Sequence, residues 1–195
     1  TAETRRVEAI AAAKVMGIHA RENLKMADGF FQNDEAHQRK VIEVIRKYQP
    51  EIILCNAPED RHPDHGRSAK LVADAAFLSG LRKIVTETNG KIQEAWRPTY
   101  VFHYIQDRFI QPSFVVDISK YIQQKIESIL CYTTQFNTKI DNEPQTYIST
   151  PQFLETVKAR AMMLGKRIGA EYGEGFISEK VLGVNSFDAF VKNVT

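Results

Sequence analysis

Apolar residues at helical spacing open the chain. Val7, Ile10, Ala11, Ala13, Val15 and Met16 recur every three or four positions, and Gly17 stands where such a helix ends. Residues 18–24 read as a short strand that passes into the turn Asp28-Gly29. Asn33 or Asp34 can cap a second helix carrying Val41, Ile42, Val44, Ile45 and Tyr48, and Pro50 stops it. The run Glu51-Ile52-Ile53-Leu54-Cys55 is apolar at successive positions, the pattern of a parallel strand buried on both faces. A polar loop over 57–66 and a helix over 67–78, closed by Gly80, come next.

Further along, β-rich runs over 99–105 and 113–118 extend the sheet, and Ile122, Ile126, Ile129 and Leu130 mark a helix over 119–136. Residues 137–149 are polar and read as a mobile connection. Thr150-Pro151 begins a last long helix, to about Gly169, with Thr150 as cap and Pro151 in its first turn. Alternation of helix and strand predicts an α/β fold, a mostly parallel sheet flanked by helices. The whole chain, 1–195, reads as a single domain.

Composition narrows the function. With 26 basic and 24 acidic residues the net charge is +2, too small a field to point to nucleic acid or an anionic membrane as partner. No apolar run approaches the ~20 residues of a membrane span. Cys55 and Cys131 lack metal or redox spacing, which suits a reducing, cytoplasmic setting.

One segment carries candidate chemistry: Glu59-Asp60-Arg61-His62-Pro63-Asp64-His65-Gly66. It joins the end of a predicted strand to the start of a helix, where ligands bind in open α/β sheets. Two of the five histidines lie here, three apart. One imidazole could hold a metal while the other meets a substrate oxygen, Asp64 could orient a neighbouring imidazole, and Arg61 offers a fork for an anion. The competing reading is an exposed loop in which Asp64 caps the helix and both histidines sit in solvent, since two histidines complete no metal site. The residues alone leave both open.

His19, His37 and His103 read as structural or solvated. Residues 171–176, with two glycines and two carboxylates, suit a pocket lining or, preferably, a tight connection. Trp96 reads as a surface or subunit contact, and Met162-Met163 as core or interface.

The eight-residue loop resembles the second signature of the LmbE/PIG-L family of zinc-dependent N-acetylglucosaminyl deacetylases, most closely its bacillithiol-biosynthesis members. Weaker matches follow in the family's order: Thr4-Arg5 with Glu8-Ala9, Asp28-Gly29, residues 45–51, 112–119, 132–136 and 169–176. The resemblance implies a Rossmann-like fold and one Zn²⁺ held by two histidines and an aspartate, with Fe²⁺ a second ion such donors accept. It also implies hydrolysis of an N-acetyl group on a small glycoconjugate, with N-acetylglucosaminyl-malate the expected substrate, and homo-oligomers, often hexamers. By motif position His65 is a metal ligand, His62 stabilises the oxyanion and protonates the leaving amine, and Asp64 tunes His62. Arg5, Asp28 and Arg61 are substrate contacts.

The family's first signature, His-Pro-Asp-Asp, supplies the other two ligands and the general base, and it is absent from these 195 residues. The expectation is therefore an N-terminally incomplete domain, lacking roughly fifty residues by the family's layout, with its first strand among them. The alternatives are an amidase of another glycoconjugate and a sugar-conjugate binding protein without catalysis.

Overall fold

The computed structural model describes residues 1–136 and 146–191. In chain order the elements are α1 (Ala2–Met16), α2 (Glu35–Tyr48), β1 (Ile52–Cys55), α3 (Pro63–Ser79), β2 (Glu87–Thr88), β3 (Lys91–Ile92), β4 (Tyr100–Tyr104), β5 (Phe114–Asp117), α4 (Ile122–Leu130), α5 (Thr133–Phe136), α6 (Pro151–Arg167) and β6 (Gly173–Ser178). The main sheet has strand order β1-β4-β6-β5, and β2 pairs with β3 in a small hairpin. β4 runs parallel to β1 and antiparallel to β6. This is the expected α/β fold, but the sheet is mixed rather than mostly parallel, since β4 pairs parallel on one side and antiparallel on the other. No described helix is long and apolar enough to cross a membrane.

The chain divides into two compact units, one of 1–25 with 115–175, the other of 26–114 with 176–195. In the first, α1 starts at Thr1, whose hydroxyl accepts the Thr4 N–H, and stops at Gly17 with φ of 67°. That left-handed conformation costs a side chain energy that glycine avoids. The face of α1 that is buried holds Glu8, Ala9 and Ala12, while the periodic apolar residues Val7, Ile10 and Met16 are exposed. Glu8 explains this choice of face. Its carboxylate accepts the Thr134 N–H at 2.7 Å and the hydroxyls of Thr133 and Thr134, tying α1 to the first turn of α5.

Burial pushes the Glu8 carboxyl up, but the Thr134 and Thr133 hydrogen bonds and Arg5 outweigh it, so its pKa lies below the usual value. A depressed carboxylate contributes stability that is present above the unfolded-state value and is lost as pH falls through the folded one. Glu8→Ala is expected to cost about 1–3 kcal/mol at neutral pH, since it orphans a backbone N–H and two hydroxyls. The difference from wild type in urea midpoints should shrink as pH falls below the ordinary carboxylate range. A pH-independent difference would remove the charge from this account.

In the second unit, Asp34 caps α2 through its carboxylate and the His37 N–H, and Gln49 closes it with φ of 47°. Ile42 and Ile45 of α2 pack on Ala75 and Ala76 of α3, with Ile53, Leu78, Ile84, Trp96 and Val101 around them. Burying a side chain such as Ile42 stabilises by about 1.5–3 kcal/mol. Arg46, also buried at 4% exposure, sits beside this core without a carboxylate. Its guanidinium donates to the carbonyls of Ser79, Leu81 and Ile84 and to the Thr86 hydroxyl. Two of these carbonyls also accept a backbone N–H, Ser79 from Trp96 and Leu81 from Ile84, so Arg46 supplies their second hydrogen bond. On β4 and its neighbours, Tyr100, Phe102, Phe114 and Phe176 form a chain of ring contacts at 4.8–5.5 Å.

Several expectations need correction. Residues 18–24 form no strand, since the chain between the end of α1 and the turn at 28–30 is irregular. β1 is not buried on both faces: Ile52 and Leu54 are 51% and 56% exposed. α3 begins at Pro63, four residues before its expected start, because His62 serves as its cap and proline's fixed φ suits a first turn. The helix expected over 119–136 is broken into a 3-10 turn at Ser119–Tyr121, α4 and α5. Residues 171–176 lead into and form most of β6 rather than a tight connection. Thr150 precedes α6 as expected, but its side chain makes no capping bond. Trp96 packs against the core of the second unit and donates its indole N–H to the Pro50 carbonyl at 2.9 Å. Met162 and Met163, expected in the core or an interface, are 53% and 41% exposed, which removes them from the core. Of the polar connection over 137–149, residues 137–145 lie outside the described residues.

Candidate active site

The eight-residue loop leaves the C-terminal end of β1 and runs into the first turn of α3. Gly66 makes this path possible. A Cβ there would lie 2.7 Å from the Pro58 carbonyl oxygen, so the chain returns to touch itself where only glycine fits.

The two loop imidazoles lie with ring centroids 5.4 Å apart and planes inclined by 37°. Each is held in a different way. His62 Nδ1 accepts the Asp64 backbone N–H at 3.2 Å, so a neutral His62 carries its proton on Nε2. His65 Nδ1 lies 2.5 Å from Oδ2 of Asp60. A carboxylate at that distance accepts, so a neutral His65 carries its proton on Nδ1 and its lone pair on Nε2. Nε2 of His65 has no hydrogen-bond partner among the described residues.

Asp60 is itself clamped. Its side chain is fully buried. Oδ1 accepts the backbone N–H groups of Asp107 and Arg108 at 3.0 and 2.9 Å. Burial pushes its carboxyl up, but the hydrogen bonds from Arg108, His65, Arg61 and Asp107 together hold it below the ordinary carboxylate value. The residue that orients an imidazole is thus Asp60, which is not among the expected site residues.

Asp64, expected to tune His62, is used elsewhere. Its Oδ2 accepts the Gly29 N–H at 2.7 Å and its Oδ1 accepts from Arg67 at 2.5 Å. Arg67 reaches on to the Gly29 carbonyl, and its guanidinium lies over the Phe31 ring. This one buried carboxylate therefore ties Gly29 to the loop, 35 positions away, and brings the exposed Asp28 turn beside it. The physical reason for the correction is local. Asp64 is in the first turn of α3, so its side chain leaves on a different side of the helix start from the cap residue His62. Its one contact with His62 is through its backbone N–H.

Arg61 is exposed, with Nε 3.7 Å from the Asp107 carboxylate. Arg5 belongs to the other unit, on α1, with its guanidinium 4.0 Å from Glu8. Asp28, Arg61, His62, Asp64 and His65 all fall in the second unit.

The remaining histidines are occupied or remote. His103 is 1% exposed on β4. Its Nδ1 lies 2.8 Å from the Asn56 carbonyl and 3.3 Å from Cys55 Sγ, and its Nε2 lies 3.2 Å from Glu179. Burial, with the Glu179 charge, pushes the Cys55 thiol up to about 12, so it stays protonated and is a poor metal ligand. His37 pairs with Asp34 at 2.7 Å, and His19 is exposed in the irregular segment after α1.

The donor set can be tested against a metal. His65, with a carboxylate on Nδ1 and a free lone pair on Nε2, has the form of a metal-bound histidine and its supporting carboxylate. No group of three His, Cys, Asp or Glu side chains that could hold a metal occurs among the described residues. Among the described residues the loop thus offers a single imidazole nitrogen of that form, Nε2 of His65, with the His62 ring beside it.

The site is thus a strand end of an α/β sheet that carries an Asp-supported histidine. A family model described as PIG-L, GlcNAc-PI de-N-acetylase, matches residues 1–76. The conserved protein TT1542 of Thermus thermophilus is 31% identical, with a TM-score of 0.82 over 95% of this chain and 77% of that one. The chain belongs to the PIG-L family. It is 24% identical to the diacetylchitobiose deacetylase of Thermococcus kodakarensis over 170 residues, 84% of this chain and 58% of that protein. The N,N'-diacetylchitobiose deacetylase of Pyrococcus horikoshii, solved with its inhibitor MPG, shares the fold with a TM-score of 0.73 at 22% identity, over 91% of this chain and 63% of that one. The chain thus spans less than two thirds of the length of both deacetylases.

Proposed function

We propose that the protein hydrolyses the N-acetyl group of an N-acetylglucosamine conjugate in a Zn²⁺-dependent reaction, with N-acetylglucosaminyl-malate as its substrate. The observation that carries this reading is the Asp60–His65 couple, 2.5 Å apart, beside the His62 ring. Similarity to two diacetylchitobiose deacetylases supports the reaction class. A bound Zn²⁺ would polarise the amide carbonyl and lower the pKa of its water.

His65 would hold the ion through Nε2. His62 would donate from Nε2–H to the carbonyl oxygen as negative charge grows there, and would hand a proton to the departing amine only as the base returns the one taken from water, so that no imidazolate is left. The C–N bond breaks, water supplies the hydroxyl, and the products are acetate and a free amine. Arg61, at the loop surface, suits the carboxylates of a malate aglycone. The Asp28 turn, tied to the loop through Gly29, would contact the sugar. The other two ligands and the base are assigned to a His-Pro-Asp-Asp segment outside these residues. Fe²⁺ is the second metal to test, and the active form is taken to be a cytoplasmic homo-oligomer.

The test is release of acetate by the full-length protein from N-acetylglucosaminyl-malate and from diacetylchitobiose. The expected result is activity that a chelator abolishes and Zn²⁺ restores, with the malate conjugate preferred. Preference for diacetylchitobiose would reassign the aglycone, a reading that the two deacetylase relatives favour. Activity indifferent to chelation would overturn the metal role, and binding of either sugar without acetate release would leave a binding protein.

A further inference from the structure

We infer that Asp60 is a positioning residue that sets which nitrogen of His65 carries the proton, and so makes Nε2 a ligand. The inference rests on the metal role proposed for His65. It follows from the hydrogen bonds available to a carboxylate with no exposed surface.

Oδ1 of Asp60 faces two donors, the N–H groups of Asp107 and Arg108, and Oδ2 faces His65 Nδ1. Backbone N–H groups cannot reverse their polarity, so Oδ1 must be an acceptor. An ionised carboxylate accepts at both oxygens. His65 then has a single compatible neutral form, the one with hydrogen on Nδ1. The clamp also fixes the ring, because the carboxylate cannot rotate without breaking one of three contacts.

The geometry explains why this position needs an acid and not its amide. An asparagine side chain here would have one acceptor oxygen and one NH₂ group. The two backbone donors would claim the oxygen, leaving the NH₂ turned toward His65. Nδ1 of His65 would then have to accept, and the proton would move to Nε2, where it blocks a metal. Asp60→Asn should therefore invert the tautomer while keeping shape and volume.

The test is carried out on the full-length protein with imidazole-labelled histidine. Nitrogen chemical shifts of His65 at a pH where it is neutral report Nδ1–H in wild type and Nε2–H in Asp60→Asn. In parallel, Zn²⁺ titration followed at the same resonances should show affinity reduced about 10–100-fold in Asp60→Asn, the usual effect of losing a ligand's supporting carboxylate. Asp60→Glu, which keeps the acid, should retain Nδ1–H, and Nε2–H in that variant would also overturn the inference. An unchanged tautomer in Asp60→Asn overturns the inference. A wild-type His65 that does not respond to Zn²⁺ overturns the proposed metal role instead, and the tautomer result still stands as a separate measurement.

Discussion

Replacing His65 with alanine is expected to remove bound Zn²⁺ and reduce acetate release by roughly 10³-fold or more. That exceeds the roughly 10²–10³ that loss of one oxyanion donor costs. The reason is that the proposed ion loses a protein ligand, and with it both the polarised carbonyl and the activated water. His62→Ala provides the contrast. It should leave metal content unchanged while kcat falls about 10²–10³-fold, because a hydrogen bond made mainly in the transition state has gone. Metal analysis beside steady-state kinetics separates the two. Equal metal content in both variants, or kcat unchanged in His65→Ala, would reverse these roles. His62 also caps α3, so melting curves should accompany the kinetics: loss of a cap alone costs about 0.5–2 kcal/mol and leaves chemistry intact.

The second large effect is on stability. Arg46→Ala should lower the unfolding free energy by about 2–4 kcal/mol, through lost charge-assisted hydrogen bonds and the cavity left in a packed interior. The guanidinium satisfies three carbonyls and a hydroxyl at once, from 2.7 to 3.1 Å. Lysine restores the charge but not the fork, so Arg46→Lys should recover less than half of the loss. Urea unfolding followed by circular dichroism measures both. A cost below about 1 kcal/mol for Arg46→Ala would mean that water replaces the guanidinium without the usual penalty for orphaned buried acceptors.

Much of the fold could be read from the chain because local chemistry agreed with it. Gly17, Asp34 and Gly80 end or begin helices where side-chain and backbone preferences put them. The failures share a cause: each depended on a partner distant in sequence. β6 looks like a connection until Phe102 and His103 are available to pair with Ser178 and Ile177. α1 presents Glu8 inward because Thr133 and Thr134 supply its hydrogen bonds, against the apolar periodicity. Arg46 gives no signal as a core residue, since its four acceptors lie 33 to 40 positions away.

The candidate site divides in the same way. His62 and His65 stand out by type and spacing, and the structure sets their rings side by side. Choosing between Asp60 and Asp64 as the imidazole's partner required the direction of each side chain, which the start of α3 decides and spacing does not. One hint was available. A carboxylate five residues before a histidine, with a proline between, can reach back across a tight loop as Asp60 does.

The near-contact between Gly66 and the Pro58 carbonyl makes length itself a constraint. A ring of residues closed at both ends has a fixed circumference. Adding or removing one residue between 58 and 66 would open the seam and swing both imidazoles out of register with the acid behind them. This stretch tolerates exchange of a side chain more readily than a change in the number of links.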